Sequence, residues 1–327
     1  MAILEVNGLR QHFYINPPLL SRFLGNKKPG IIKAVDGVSF ALEKGEILGV
    51  AGESGCGKST TCLAVAKLRE PTEGTILYKG RSIAGMDKEE VKAYRKQVQL
   101  IFQDPYESLN PRFKVFDLVA EPLRALDVCS SRQELEKRVL DTIAMAGLNP
   151  EDYRDRYPHQ MSGGERQRVG IAQALVLEPE LVIADEPLSM LDVSIRAGIL
   201  DLIRDLSSRM NFSCIYVSHD LSILSNISER LMIMYLGRIA EIGTTRDVIT
   251  TPFHPYAKAL IAAVPIPDPA YSRPIPDIKG EVSTPIDPPP GCRFQTRCMD
   301  VKSVCKEKAP PMIEVETGHW VACHLYA

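Results

Sequence analysis

A chain of 327 residues is too long for one simple core and predicts about two domains. Hydrophobic residues make up 45% and charged residues 24%, as in an ordinary globular protein, and a net charge of −2 leaves no footprint for nucleic acid, so none is expected as a partner. No run of about 18 apolar residues is present, which excludes a membrane-spanning helix. The opening MAILEVNGLRQHF lacks a basic stretch followed by an apolar one, so no secretory signal is expected and the cytoplasm is the expected compartment.

Near the start, Ile3-Leu4-Glu5-Val6 and the stretch Lys33 to Leu42 alternate apolar with polar residues, which predicts antiparallel strands. Between them NPPLLSRFLGNKKPG (16–30) reads as an exposed loop insertion. The apolar run Ile47 to Ala51 then leads into GESGCGKST (52–60), which fits G-x-x-x-x-G-K-[ST]. Glycines let successive backbone N–H groups face phosphate oxygens, a lysine adds a point charge for the β- and γ-phosphates, and a serine hydroxyl can ligate Mg²⁺. Thr60 to Ala66 can continue as a helix, and a strand, a glycine loop and a helix N-terminus make an anion site. The residues expected to hold ATP are Gly52, Ser54, Gly55, Cys56, Gly57, Lys58, Ser59 and Thr60.

Residues 86–100 and 131–147 carry charged, helix-period patterns. In Met161 to Arg168 a Ser162-Gly163-Gly164 turn opens a helix, and such a start, with a hydroxyl and two bare backbone positions, is a second anion site. Two of them in one chain make sense if two chains pack head to tail, each placing its Ser-Gly-Gly against the nucleotide on the other's glycine loop. Leu181 to Glu186 is an apolar strand ending in two carboxylates. Asp185 there suits Mg²⁺ at a sheet's C-terminal edge, and Glu186 suits a general base for the attacking water. Residues 193–210 read as helix and 213–218 as a buried strand. Strands alternating with helices imply a parallel sheet. After about residue 250 the texture changes to a proline-dense strap (265–290) and a tail with Cys292, Cys298, Cys305 and Cys323. Four clustered thiols in a segment with little core suggest a metal staple held away from the nucleotide. Their spacing does not choose between zinc and an iron–sulfur cluster, and His319 and His324 are possible substitute ligands. Cys56, Cys62, Cys129 and Cys214 are scattered and read as small core or loop residues.

Taken together, these residues resemble the ATP-binding subunit of an ABC transporter. In that family's order come the Walker A loop (52–60), the Q-loop Gln103 in LIFQDP, the signature (161–165), the Walker B strand (181–186), the D-loop Ser189 to Asp192 and the switch His219 in VSHD. AVDGVSF, QDPYESLNPR, DVSIRA and the tail HPYAKALIAAVPIPDP with PPPGCRFQTRC look like the oligopeptide/dipeptide importer subfamily, which also includes importers of nickel and oligosaccharides.

The resemblance implies an α/β P-loop NTPase fold with a parallel core sheet, an antiparallel β subdomain and a helical subdomain near 104–165. The nucleotide-binding domain then spans 1–255, and a C-terminal extension spans 256–327. It implies an ATP hydrolase at the cytoplasmic face of the membrane that powers import of di- and oligopeptides. Its implied partners are a second, related ATPase chain, two membrane permease subunits and an extracellular binding protein. Ser59, Gln103 and Asp185 would order Mg²⁺, Glu186 would activate water, and His219 would sense the γ-phosphate. Ser162, Gly163, Gly164 and Asp192 would act across the dimer. An aromatic near the first strand would carry the adenine: Phe13, with Tyr14 as its rival. For the tail, the resemblance favours a [4Fe-4S] cluster over zinc. The chain departs from the family's usual residues at Met161, Glu165, Leu188 and Met190, none of which carries an assigned hydroxyl, carboxylate or amine. The alternatives are the same motor powering nickel or oligosaccharide import, or a soluble ABC ATPase that works without membrane subunits.

Overall fold

The computed structural model describes residues 2–15, 30–104, 109–264, 278–280 and 286–327. The expected loop insertion at 16–30 lies outside the described residues except for Gly30, and the expected proline strap at 265–290 except for 278–280 and 286–290. Among the described residues the strands, in chain order, are β1 (Ala2–Ile15), β2 (Gly30–Glu43), β3 (Ile47–Ala51), β4 (Glu73–Tyr78), β5 (Arg81–Ser82), β6 (Val98–Ile101), β7 (Leu181–Asp185), β8 (Ser213–Val217), β9 (Arg230–Tyr235), β10 (Arg238–Thr244), β11 (Ile313–Glu316) and β12 (His319–Val321). The chain divides into two compact units.

One unit holds residues 2–42, 48–84 and 219–327. Its first sheet runs β2-β1-β4-β5, with β1 antiparallel to β4 and Leu4 opposite Tyr78. The alternation expected from sequence holds over the second half of β2, where Val38, Phe40 and Leu42 are buried between exposed or half-buried neighbours, but it breaks where Ala34, Val35 and Asp36 are buried in succession and where Ile3 and Leu4 are both buried. A second run of strands in this unit is ordered β11-β12-β10-β9-β3. β3 is parallel to β9 and buried at all five positions, as an apolar run without alternation requires. β9 and β10 form a hairpin whose two turn residues, Leu236 and Gly237, both have positive φ, matching the twist of the strands they join. The C-terminal tail extends this sheet, since β12 pairs with β10 and β11 with β12.

The other unit holds residues 43–47 and 85–218. Here β6, β7 and β8 are parallel, and Leu181 to Ala184 are wholly buried. The charged helix expected over 86–100 is shorter, Lys88–Gln97, started by a reciprocal Asp87–Glu90 capping box and ended where the mostly apolar Val98–Ile101 turns extended as β6. Helices Val115–Ala125, Arg132–Met145 and Gly163–Leu175 pack a core of Leu118, Val119, Val139, Ile143 and Val169, all fully buried. The remaining expected helix is Val193–Met210.

Candidate nucleotide site

The glycine loop leaves β3 at Ala51 and enters the helix Lys58–Val65. Two of its glycines are demanded by space. Gly52 has φ +151 and a Cβ there would sit 2.3 Å from the Met234 carbonyl oxygen; Gly57 has φ +104 and a Cβ there would sit 2.2 Å from the Ala34 carbonyl oxygen. Lys58 is buried, and its ammonium donates to the carbonyls of Gly52 at 2.7 Å and Glu53 at 3.1 Å. Ser54, Gly55 and Ser59 are exposed and Thr60 half-buried. Cys56 is buried, its thiol 3.8 Å from Lys58 and pushed up by burial, its N–H donating to Glu53 O at 3.3 Å and its carbonyl accepting from the Gly237 N–H at 2.9 Å. His219 is exposed in the same unit, one residue before Asp220, whose carboxylate caps the helix Leu221–Ile227 by accepting from the Ser222 N–H. Phe13 is half-buried on β1 with the Arg69 guanidinium 4.8 Å above its ring, while Tyr14 is 66% exposed.

In the other unit, Asp185 ends β7 and Glu186 follows in a left-handed conformation, φ +46. A glutamate pays strain there, and such strain gathers at functional sites. It is pinned by its own N–H donating to Val217 O at 3.0 Å and by the Ser189 hydroxyl donating to its carbonyl at 3.0 Å. Gln103 is exposed, two residues past β6. Ser162 caps the helix Gly163–Leu175 in a reciprocal box with Glu165: the Ser162 N–H donates to the Glu165 carboxylate at 2.7 Å. Tyr153 donates its hydroxyl to the same carboxylate. That bond first, then the Ser162 N–H, holds the Glu165 carboxyl below its usual range. Glu165 therefore performs the cap despite its departure from the family pattern, and Met161 and Leu188 are core residues. Gly163 and Gly164 pack against Leu191 and Ile195, so the Ser-Gly-Gly turn and the D-loop adjoin. Asp192 precedes the helix Val193–Met210 and is exposed, between Met190 (60% exposed) and Val193 (80%).

The tail bears on two expectations. First, the thiols of Cys292, Cys298, Cys305 and Cys323 gather within reach of one another's charge, and burial pushes the Cys292 thiol to about 11. Yet among the described residues no three His, Cys, Asp or Glu side chains stand in a metal-ligating set, so the expected [4Fe-4S] or zinc cage is not preformed. His319 and His324 are committed elsewhere: His319 Nε2 lies 2.7 Å from Glu241 Oε1, and His324 Nε2 lies 2.8 Å from Lys308 O. Second, the tail does not stand away from the glycine loop. Arg293 pairs with Asp36 on β2, and Arg297 pairs with Glu53 inside the loop at 2.9 Å. Burial raises the Asp36 carboxyl, but Arg238 and Arg293 together outweigh it and hold it at about 2. Sequence reasoning missed Glu53, Arg297 and Asp36 because partners more than 200 positions apart leave no spacing signal.

A glycine loop on a buried strand and helix start, with a carboxylate-tipped parallel strand, defines a P-loop ATPase of the α/β class. The ABC transporter family matches residues 35–189, and the oligopeptide/dipeptide transporter C-terminal region matches residues 240–305. The chain is 45% identical to the oligopeptide transport ATP-binding protein AppF of Bacillus subtilis, covering all of this chain and 98% of that one. It is also 45% identical to the oligopeptide transport ATP-binding protein OppF of Escherichia coli, covering 98% of this chain and 96% of that one. Among solved structures, the dimeric post-hydrolysis state of the ATP-binding cassette MJ0796 bound to ADP and Pi superposes with a TM-score of 0.64 at 26% identity, covering 74% of this chain and 99% of that one. The chain belongs to the oligopeptide/dipeptide branch of the ABC transporter ATP-binding proteins, and membership in that family carries ATP hydrolysis with it.

Proposed function

We propose that this chain is the ATP-hydrolysing subunit of a peptide importer, working at the cytoplasmic face of the membrane. Residues 1–255 serve as the nucleotide-binding domain, with a helical subdomain at 104–165, and residues 256–327 as its extension. The observation that carries the ATP site is the glycine loop, whose Gly52 and Gly57 have no room for a side chain while Lys58 is held beneath them. In this reading Lys58, the backbone of Ser54 to Gly57, and Thr60 bind the phosphates. Glu186 takes the proton of the attacking water, and His219 holds the γ-phosphate end. Ser59, Gln103 and Asp185 are oxygen donors suited to a hard cation that keeps most of its shell as water and phosphate. Mg²⁺, when bound, neutralises phosphate charge. Phe13 receives the adenine, with Tyr14 as the alternative. Ser162, Gly163, Gly164 and Asp192 serve the nucleotide of a second, related ATPase chain; the exposed Met190 and Val193 beside Asp192 support a partner there. Two permease subunits and an extracellular binding protein complete the assembly; in support, the relatives are named as ATP-binding proteins of oligopeptide transport, a task that needs a membrane pathway beside the ATPase. Among the described residues no helix is long and apolar enough to cross a membrane, so anchorage falls to those subunits.

Glu186→Gln in the assembled transporter tests the chemistry. ATP binding should persist while turnover falls about 10²-fold or more, and near-normal turnover would remove Glu186 from the role of base. For the tail, we propose that the four thiols close on one metal centre, [4Fe-4S] or zinc, supported by their gathering in one place. Iron, sulfide and zinc assays on anaerobically purified protein decide between these, and no metal with a folded tail rejects both.

A further inference from the structure

Glu53, the residue after Gly52, is engaged through all three of its polar groups. Its carboxylate accepts from Arg297 Nη1 at 3.0 and 2.9 Å. Its N–H donates to the Tyr256 hydroxyl at 3.0 Å. Its carbonyl accepts from the Lys58 ammonium at 3.1 Å and from the Cys56 N–H at 3.3 Å. One residue thus joins the loop lysine to an arginine of the cysteine-bearing tail.

The arginine is itself fixed. Arg297 is buried, and its guanidinium lies 5.8 Å from the ring centre of Tyr235 and 5.9 Å from that of Phe294. Those two rings and Tyr256 form one cluster, with centroids 4.6 to 5.5 Å apart. The Arg297 N–H donates to Phe294 O, and the Cys298 N–H donates to the same carbonyl. The Cys292 N–H donates to Cys305 O, tying the segment that carries Arg297 to the rest of the tail. A low-dielectric aromatic setting strengthens such a pair.

We propose that Arg297 is a positioning residue of the ATP site. Through Glu53 it sets the backbone of the glycine loop and the seat of Lys58, so the C-terminal tail is a working part of nucleotide binding. The loop needs such an anchor because its glycines leave the backbone free, and a pre-ordered loop binds phosphate without having to lose that freedom. This rests on the nucleotide lying on the 52–60 loop.

The test uses the full-length chain, titrated with a fluorescent ATP analogue, and the assembled transporter for KM and kcat. Arg297→Gln should weaken ATP affinity about tenfold, the order expected for loss of a charge-assisted bond, and raise KM while kcat stays within about twofold. Arg297→Lys, which keeps the charge but not the planar guanidinium beside Tyr235 and Phe294, should recover part of the loss. Glu53→Gln, at a position less prone to misfolding, should match Arg297→Gln, and the double variant should be no worse than either single one, since both break the same bond. Lys58→Ala is measured alongside. If it binds ATP normally, the site itself is misplaced. If it loses ATP while Arg297→Gln and Glu53→Gln keep wild-type affinity, or if their losses add, the positioning role is overturned. A lower melting temperature for Arg297→Gln with an unchanged KM would likewise reduce Arg297 to a tail residue and overturn it.

Discussion

The two helix starts of this chain solve the same problem in opposite ways. At 52–60 the loop is fixed from outside itself: Gly57 abuts the Ala34 carbonyl, the Gly237 N–H donates to Cys56 O at 2.9 Å, and Glu53 is held by Tyr256 and Arg297. At 162–165 the cap is made locally, by Ser162 and Glu165, with Tyr153 behind them, and Ser162 stays exposed. A loop fixed by its surroundings presents a shaped cradle to a small ligand. A self-capped, exposed helix start suits a surface that meets another molecule. The difference fits a chain that binds ATP on one element and completes a partner's site with the other.

The largest effect expected of any change on the loop side is that of Lys58→Ala. It removes the charge meant for the β- and γ-phosphates and should cut turnover in the assembled transporter by about 10²-fold or more, with ATP affinity reduced too. On the other side, Ser162→Arg should cost turnover by about tenfold or more while this chain's own ATP affinity, measured by titration, is unchanged. An equal loss of its own ATP binding would erase the contrast between the two starts.

A pH experiment probes the outside support of the loop. His254 Nδ1 accepts from the Tyr256 N–H at 3.0 Å and so orders the residue whose hydroxyl meets Glu53. Burial lowers the His254 imidazole from 6.5 to about 4. The folded state therefore keeps it neutral while the unfolded chain takes up a proton. The associated stability is complete above about pH 6.5 and is lost on falling to about pH 4, on the order of 3 kcal/mol. Glu241, raised first by its burial, acts in the opposite sense, so the readout is the difference between wild type and His254→Asn, which keeps an acceptor but does not titrate. Unfolding midpoints of the two proteins should converge as pH falls from 6.5 to 4, and a constant gap would contradict the assignment.

The smallest effects separate two glycines of one loop. Gly57→Ala meets the Ala34 carbonyl and should cost about 1–3 kcal/mol of stability together with ATP affinity. Gly55, at φ +77 with nothing within 4 Å, should cost only about 1 kcal/mol when made alanine. Equal losses in thermal melts would show that the loop is not held against Ala34.

Much of this was legible in the sequence, because the signals are local. The apolar run before the glycine loop, the run Leu181 to Ala184 and the helix 193–210 announce themselves by period and spacing and appear where they were expected. The Ser162–Glu165 box is also a short-range pattern. What stayed hidden is long-range. Asp36 looked like one polar position in an alternating strand, yet it is buried among Arg238 and Arg293. Glu53 looked like a variable position within the loop pattern. His319 looked like a spare metal ligand but belongs to Glu241. Each of these depends on how the tail folds back, and the chain's own order carries no mark of that.

The central claim is that ATP hydrolysis on this chain drives peptides across a membrane. The most direct measurement is uptake of a labelled dipeptide into vesicles carrying the assembled importer with its binding protein, supplied with ATP on the side of this chain. Wild type should accumulate peptide only when ATP is present, and an importer carrying Glu186→Gln should bind ATP yet accumulate none. Peptide uptake that continues undiminished with the Glu186→Gln chain, or ATP turnover that peptide-loaded binding protein leaves unchanged, would contradict the account.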